Sequence, residues 1–411
     1  MRRRLHFHSD CGSFAGCENM LVNFFDNDEL MKEYEVSFSY RQSTAYDTGF
    51  RNRIKRAFDV RPLPLKDVAQ FNAATEKLPR FLGSLCRVSA RLILLRYWFL
   101  AWNTTLLYRT IGSPEILHIN NGNYPGAYSC MAAVFAARLR GVTRIVYVVN
   151  NIAIPHNTIR RWLDYPLDVL VAKLVTVFVT ASGHAGRELQ TVLRLPKFQV
   201  VNIHNGITPR SVSAIRAKTL ERLGITGSRF LVGVVAILEK RKGHIVLLEA
   251  MCRLKKQSRD AAPPLIMIEG TGSEFDTLRH YVLEHYLDND VKFIGNESNI
   301  FDFMTAMDAI ALPSISHEDF PNVVIEAMSL GKSVIATQLA GIPEQIDHLV
   351  NGILVEPGDS DGLARALSTL SSDAALRQQL GHNARTKFEK VFTARTAVSA
   401  YRTLYQKLLS E

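Results

Sequence analysis

Cysteine is scarce and unpatterned. Five are present, Cys11, Cys17, Cys86, Cys130 and Cys252, an odd number with no C-x-x-C pair. That excludes a disulfide framework and a cysteine zinc site, and it fits a reducing, cytoplasmic compartment. Neither an H-E-x-x-H pair nor an EF-hand loop occurs, so no metal site is expected. G-x-S-x-G and P-loop patterns are also missing, which argues against a serine hydrolase and a P-loop kinase. No uncharged apolar run reaches the about 18 residues of a spanning helix. The nearest, Arg91 to Trp102, is broken by Arg96. The opening "MRRRLHFHSD" is charged without an apolar core, unlike a secretory signal. No internal repeat suggests a solenoid.

What is present is a chain of 411 residues, 47% of them apolar. At about 150 residues per domain, this predicts two or three domains. Charge is uneven: residues 1–200 carry 26 basic and 15 acidic side chains, whereas the remainder carries 23 and 24. Residues 51–150 alone hold 15 basic against 4 acidic. A basic half beside a neutral one points to an anionic surface or ligand on one side. Arg87 and Arg91 share a helical face next to the apolar, aromatic run Leu92 to Trp102. Such a face suits peripheral contact with an anionic membrane, though a solvated cationic face explains the pattern slightly better. No nucleic-acid module is recognisable, so no nucleic-acid partner is expected.

Short apolar runs alternate with helical patterns in the second half: "RFLVGVVAI", "PLIMIE", "DVKFIG", "DAIALPS" and "KSVIAT", each followed by a helix. Unalternating apolar strands of this kind belong to a parallel sheet covered on both faces. The first half repeats the grammar less cleanly, in "EILHIN", "TRIVYVV", "VTVFVTA" and "FQVVNI". Residues 60–80, with Pro62, Pro64 and Pro79, read as an irregular insertion, and 81–108 as one long helix. The fold class is therefore α/β, with two Rossmann-like domains facing a cleft. The predicted domains are 1–205 and 206–390, with a terminal helix of about 391–411 packing back on the first. Ligands bind such sheets at the carboxyl ends of the strands.

The stretch "SHEDFPNVVIEAMSLGK" carries Glu318 and Glu326 with seven residues between them. Pro321 suits a first helical position, which puts Glu318 on a loop and Glu326 in the second helical turn. The free N–H groups near Asn322 and Val323 make an anion-accepting end. A carboxylate accepts hydrogen bonds from a diol, so the pair could grip a ribose and a sugar. Two solvated glutamates on an amphipathic helix are an equal alternative on spacing alone. In "LEKRKGH", Lys240, Arg241 and Lys242 follow a strand and could neutralise a diphosphate, although a solvated loop is the commoner reading of an isolated basic triplet. "IEGTGSE" lacks the third glycine of a dinucleotide loop and reads as a tight turn. "CGSFAGCENM" places Gly16 in the first strand-to-helix loop.

Together these segments resemble the group 1 family of GT-B glycosyltransferases, the retaining GT4-like sugar-nucleotide enzymes. The resemblance is strongest over 205–370, in "ILEKRKGH", "LIMIEGTGSE" and "LPSISHEDFPNVVIEAMSLGKSVIATQLAGIPEQI", and weaker in "FAGCENML" and "EILHINNGNYPGAYSCMAAVFAARLRGV". It implies that Glu326 holds the ribose and Glu318 the donor sugar. It implies that Lys242 meets the diphosphate, with N–H groups around Phe320, Pro321, Asn322 and Val323, and that Gly16 approaches from the first domain. It implies no cofactor and no metal beyond the nucleotide-diphosphate sugar. Two departures stand out. Ala236 and Ile237 replace the family's arginine before Lys242, leaving Arg241 or Lys240 to supply the charge. Asn150 replaces its histidine, with His156 and His118 as possible neighbours. The expected activity is metal-independent, retaining transfer of a hexose to a hydroxyl acceptor. A lipid-linked saccharide in surface-polysaccharide synthesis, at the inner face of the cytoplasmic membrane, would suit the basic half. A sugar-nucleotide epimerase and a non-catalytic donor-binding subunit are the alternatives.

Overall fold

The computed structural model describes residues 2–12, 14, 16–92, 95–257, 262–297 and 299–411. The chain divides into one unit of Met1–His204 with Ala397–Glu411, and a second of Asn205–Thr396.

The first unit holds seven strands: β1 (Arg3–Ser9), β2 (Tyr34–Arg41), β3 (Asp59–Leu63), β4 (Ile116–Asn121), β5 (Ile145–Val149), β6 (Val177–Thr180) and β7 (Val200–Asn202). They form one parallel sheet in the order β3-β2-β1-β4-β5-β6-β7. The central strands β4 and β5 are buried along their whole length, as their unbroken apolar or small-polar sequence requires. The sheet separates two apolar cores. One is built on Leu117, Tyr147 and the helix Tyr128–Leu139. The other joins Phe7, Phe24 and Phe38 to Tyr401 and Tyr405 of the helix Ala394–Ser410.

The region 60–80 is more regular than its prolines suggested. Asp59–Leu63 is a strand and Val68–Glu76 a helix capped by Asp67. Pro62 is tolerated because β3 is the outermost strand, where a missing N–H costs no ladder bond. The helix predicted over 81–108 is helical in its described parts, Arg80–Leu92 and Leu95–Ile111, and residues 93–94 lie outside the described set. The side chains of Arg80 and Arg91 also lie outside it.

The second unit holds β8 (Leu231–Val235), β9 (Leu265–Glu269), β10 (Val291–Gly295), β11 (Ala309–Leu312), β12 (Ser333–Thr337) and β13 (Ile353–Val355). They too form one parallel sheet, ordered β10-β9-β8-β11-β12-β13. Both sheets reverse their winding once, between β1 and β4 in the first and between β8 and β11 in the second. Such a reversal splays two loops apart at the strands' carboxyl ends, where open α/β sheets take ligands.

Candidate active-site residues

In the second unit, the residues at the reversal are held by backbone-to-backbone packing. After β8 the chain makes a single 3-10 turn, Lys240–Lys242, and leaves it through Gly243 at φ 66°. A Cβ on Gly243 would lie 1.9 Å from Pro313 O, so only glycine lets this loop rest on the loop after β11. Ile315 N donates to Arg241 O at 2.8 Å and closes the same contact. Gly270 and Gly272 perform a similar task. A Cβ on either would lie 2.1 Å from Ala236 O or 2.4 Å from Leu238 O, so the G-T-G turn packs on the β8 loop.

This packing brings Lys242 to Glu318. Lys242 Nζ donates to Glu318 Oε2, and both side chains are only 11% exposed. Ser314 Oγ donates to the same oxygen at 3.2 Å. Arg241 stands behind the pair: its Nη1 lies 3.9 Å from Glu318 Oε2 and donates to His317 O at 3.3 Å, while Nε donates to Glu239 Oε2 at 2.6 Å. Two residues after Lys242, His244 is buried, with no hydrogen-bond partner at either ring nitrogen among the described residues. Burial, helped by the charge of Lys242, lowers its pKa to about 4, so it is neutral at physiological pH.

The helix begins one residue later than its proline suggested. Pro321 is extended, at φ −66° and ψ 126°, and caps the helix Asn322–Ser329 from outside. Gln345 Nε2 fixes Pro321 O at 3.1 Å, and buried Phe320 packs edge-on against Phe392. Asn322 and Val323 therefore occupy the first turn and Glu326 the second, on a half-buried face.

In the first unit, the carboxyl ends of β1 and β4 carry a polar cluster that motif reading did not single out. Glu18 is fully buried at the end of the 3-10 turn Gly16–Glu18. Ser9 Oγ donates to its Oε1 at 2.8 Å, Tyr46 OH to Oε1 at 3.1 Å, and Asn120 Nδ2 to Oε2 at 2.6 Å. Burial outweighs these donors and raises the Glu18 pKa to about 7. Asn120 in turn accepts from Asn150 Nδ2 at 2.8 Å, and Asn150 Nδ2 also reaches Asn121 O at 2.8 Å. The Asn150 amide is thus oriented by a chain that starts at Glu18. Beside it, Asp10 and Arg41 form a buried pair at 2.5 and 2.7 Å, with Ser129 Oγ donating to Asp10. Gly16 is exposed, and a Cβ there would meet no described residue within 4 Å.

The two histidines considered as neighbours of Asn150 are engaged elsewhere. His118 is a core residue: its Nδ1 lies 2.7 Å from Tyr405 OH, its ring packs at tilted or edge-on angles against Phe7, Phe24 and Tyr401, and burial lowers its pKa to about 3. It faces the terminal helix and is removed from the site. His156 Nε2 lies 2.6 Å from Asp168 Oδ2, in a cluster with Arg161.

The cluster had a sequence signal. Three polar residues, Glu18, Asn120 and Asn121, end or follow otherwise apolar strand and loop segments, in "FAGCE" and "EILHINN". Only their pairing across 102 residues was hidden.

Two parallel sheets of these orders, each covered by helices, define the GT-B class of glycosyltransferase fold. Solved structures share it over the whole chain at low identity. HepE of Anabaena, crystallised with UDP, superposes with a TM-score of 0.76 at 20% identity, covering 99% of this chain and 100% of that one. Sucrose-phosphate synthase of Thermosynechococcus elongatus gives 0.70 at 18%, covering 100% of both. Residues 216–387 match the family model "Glycosyl transferases group 1".

Among relatives, N-acetyl-alpha-D-glucosaminyl L-malate synthase of Bacillus anthracis is 33% identical over 36% of this chain and 38% of its own length. The lipopolysaccharide core biosynthesis glycosyltransferase LpsD of Rhizobium meliloti is 30% identical over 41% of this chain and 47% of its own. The chain thus spans about half or less of the length of these relatives.

Proposed function

We propose that this chain is a retaining, metal-independent hexosyltransferase that passes a hexose from a nucleotide-diphosphate sugar to a hydroxyl of a saccharide, lipid-linked in surface-polysaccharide synthesis. The observation that carries the reading is the Lys242–Glu318 pair at the winding reversal of a group 1 domain. An ion pair shielded from water there places a cation suited to the diphosphate's negative charge beside a carboxylate that can accept from the sugar's hydroxyls.

In this reading Lys242 and Arg241, with the first-turn N–H groups of Asn322 and Val323 beside Phe320 and Pro321, take the charge of the departing diphosphate. Glu318 accepts from the donor sugar's hydroxyls, and Glu326 from the ribose. Gly16 and Asn150 are assigned to the donor by their place in the family pattern. The nature of the relatives supports the acceptor: LpsD is named for lipopolysaccharide core synthesis and CapM of Staphylococcus aureus for capsular polysaccharide. A second reading, a subunit that binds donor without turnover, is favoured by Asn150, which cannot titrate.

The test is turnover with a panel of sugar nucleotides, uridine donors first, and a lipid extract as acceptor, with products read by mass spectrometry. Glu326→Ala is expected to weaken donor binding by about 10- to 100-fold, the loss of a charge-assisted hydrogen bond. Unchanged donor affinity removes the ribose assignment. Donor binding without product from any acceptor selects the second reading.

A further inference from the structure

The chain contains three tryptophans, and all three lie on the surface: Trp98 is 68% exposed, Trp102 53% and Trp162 71%. Tryptophan is on average among the more buried side chains, so this is a departure that asks for a cause. Trp98 and Trp102 stand four apart on the helix Leu95–Ile111 and share a face. Trp162 lies on the helix Ile159–Leu174. The two helices are joined next to these rings. Tyr97 OH donates to Leu163 O at 3.0 Å, and Arg96 pairs with buried Asp164 at 3.2 Å. Ile159 adds exposed apolar surface on the same helix as Trp162. The preceding helix, Arg80–Leu92, leaves Phe81 and Leu85 exposed at i and i+4.

The charge of the region is one-sided. No acidic residue occurs between Glu76 and Glu115, which includes two of these helices entirely. The third helix has two, Asp164 and Asp168, and both are buried in ion pairs with Arg96 and Arg161. Cations are present at the surface: Lys66 lies 4.4 Å over the Trp102 ring, and Arg160 is exposed beside Ile159. Among the described residues no helix is long and apolar enough to cross a membrane.

We infer that the tryptophan-bearing face of the helices Leu95–Ile111 and Ile159–Leu174 is a docking surface for an anionic lipid bilayer. Indole rings favour the headgroup boundary, where an apolar body meets a polar edge. Long cationic side chains around them reach the phosphates, and no exposed carboxylate on these helices opposes the approach. Charge decides the occupant: a surface that offers aromatic area and cations without an exposed carboxylate matches a uniformly negative sheet. The inference deepens the lipid-linked reading of the acceptor, but its physical basis is independent of catalysis.

Because every tryptophan of the chain lies exposed on these two helices, tryptophan fluorescence reports on them alone. The full chain is titrated with vesicles of phosphatidylcholine containing phosphatidylglycerol, and with vesicles of phosphatidylcholine alone, at low and high salt. A blue-shifted emission and co-sedimentation with the anionic vesicles, weakened by salt, are expected. Trp98→Ala with Trp162→Ala is expected to weaken partition about tenfold, since each ring contributes apolar area at the boundary. Both positions are exposed, so circular dichroism should match wild type, and Trp102 remains as reporter. Emission unchanged by anionic vesicles overturns the inference. So does a blue shift that appears without lipid as protein concentration rises, which assigns the face to a second copy of the chain. A protein that docks on vesicles yet transfers no sugar overturns the transferase reading and leaves this one standing.

Discussion

Lys242 Nζ donates to Glu318 Oε2 across 76 residues of sequence, with both side chains nearly withdrawn from water. The pair joins the loops after β8 and β11. Removing one member strands the other. Lys242→Met is expected to destabilise the second unit by about 2–4 kcal/mol, because the carboxylate keeps its burial and loses its main partner. Glu318→Gln in the same chain should recover part of that loss, with a coupling of roughly 1–3 kcal/mol in a double-mutant cycle. Urea unfolding of the four proteins checks this, and strict additivity would falsify the coupling.

Gly243 makes that pairing possible. Gly243→Ala is expected to cost about 2–4 kcal/mol, since a Cβ would collide with Pro313 O as well as strain a positive φ. Gly224→Ala is the control. Its φ is 63°, nearly the same, but a Cβ there would meet nothing within 4 Å. It should cost only the backbone strain, about 1 kcal/mol. Equal costs at the two sites would show that the loop contact carries no weight.

Glu18 makes stability depend on pH. Its folded pKa, raised to about 7 by burial, lies above the ordinary carboxyl value of 4.5. The folded state therefore binds the proton more tightly than the unfolded one. The stability it contributes is complete below pH 4.5 and is lost as pH rises through about 7. Glu18→Gln has no proton to lose. Relative to wild type, its unfolding free energy should rise by roughly 2–3 kcal/mol between acid and mildly alkaline pH. Chemical denaturation at the two extremes measures the difference, and a pH-independent difference removes the shifted carboxyl from the account.

Asn150 is set by its neighbours. Its Nδ2 donates to Asn120 Oδ1 and Asn121 O, and Asn120 is itself kept from turning by its 2.6 Å bond to Glu18. Asn150→Asp puts a carboxylate against two acceptors. The expected cost is about 1–3 kcal/mol at neutral pH, regained on acidification as the new carboxyl protonates and can donate. Thermal unfolding across pH shows whether stability recovers. A flat profile would mean the amide's orientation is not fixed by this chain.

Much of the fold was legible because period and composition are local. Unbroken apolar runs such as "LVGVV" and "IVYVV" need cover on both faces, and the intervening helices supply it. Where reading failed, the deciding partner was distant. Pro62 suggested irregular chain until the sheet order made β3 an edge. His118 looked available until the terminal helix, with Tyr405, packed over it. Pro321 was placed one residue too far inside its helix, because proline suits the cap and the first turn alike.

The sequence by itself determined the two parallel sheets, the basic first half and the glutamates and cations of the candidate donor site. Those follow from side-chain chemistry and spacing over a few turns of chain. Only the tertiary structure decided that Lys242 pairs with Glu318, that Glu18 is buried and orients Asn150 through Asn120, and that all three tryptophans stay in water. Burial and pairing depend on which strands become neighbours, and β1 and β4, or β8 and β11, meet only when the winding of each sheet reverses.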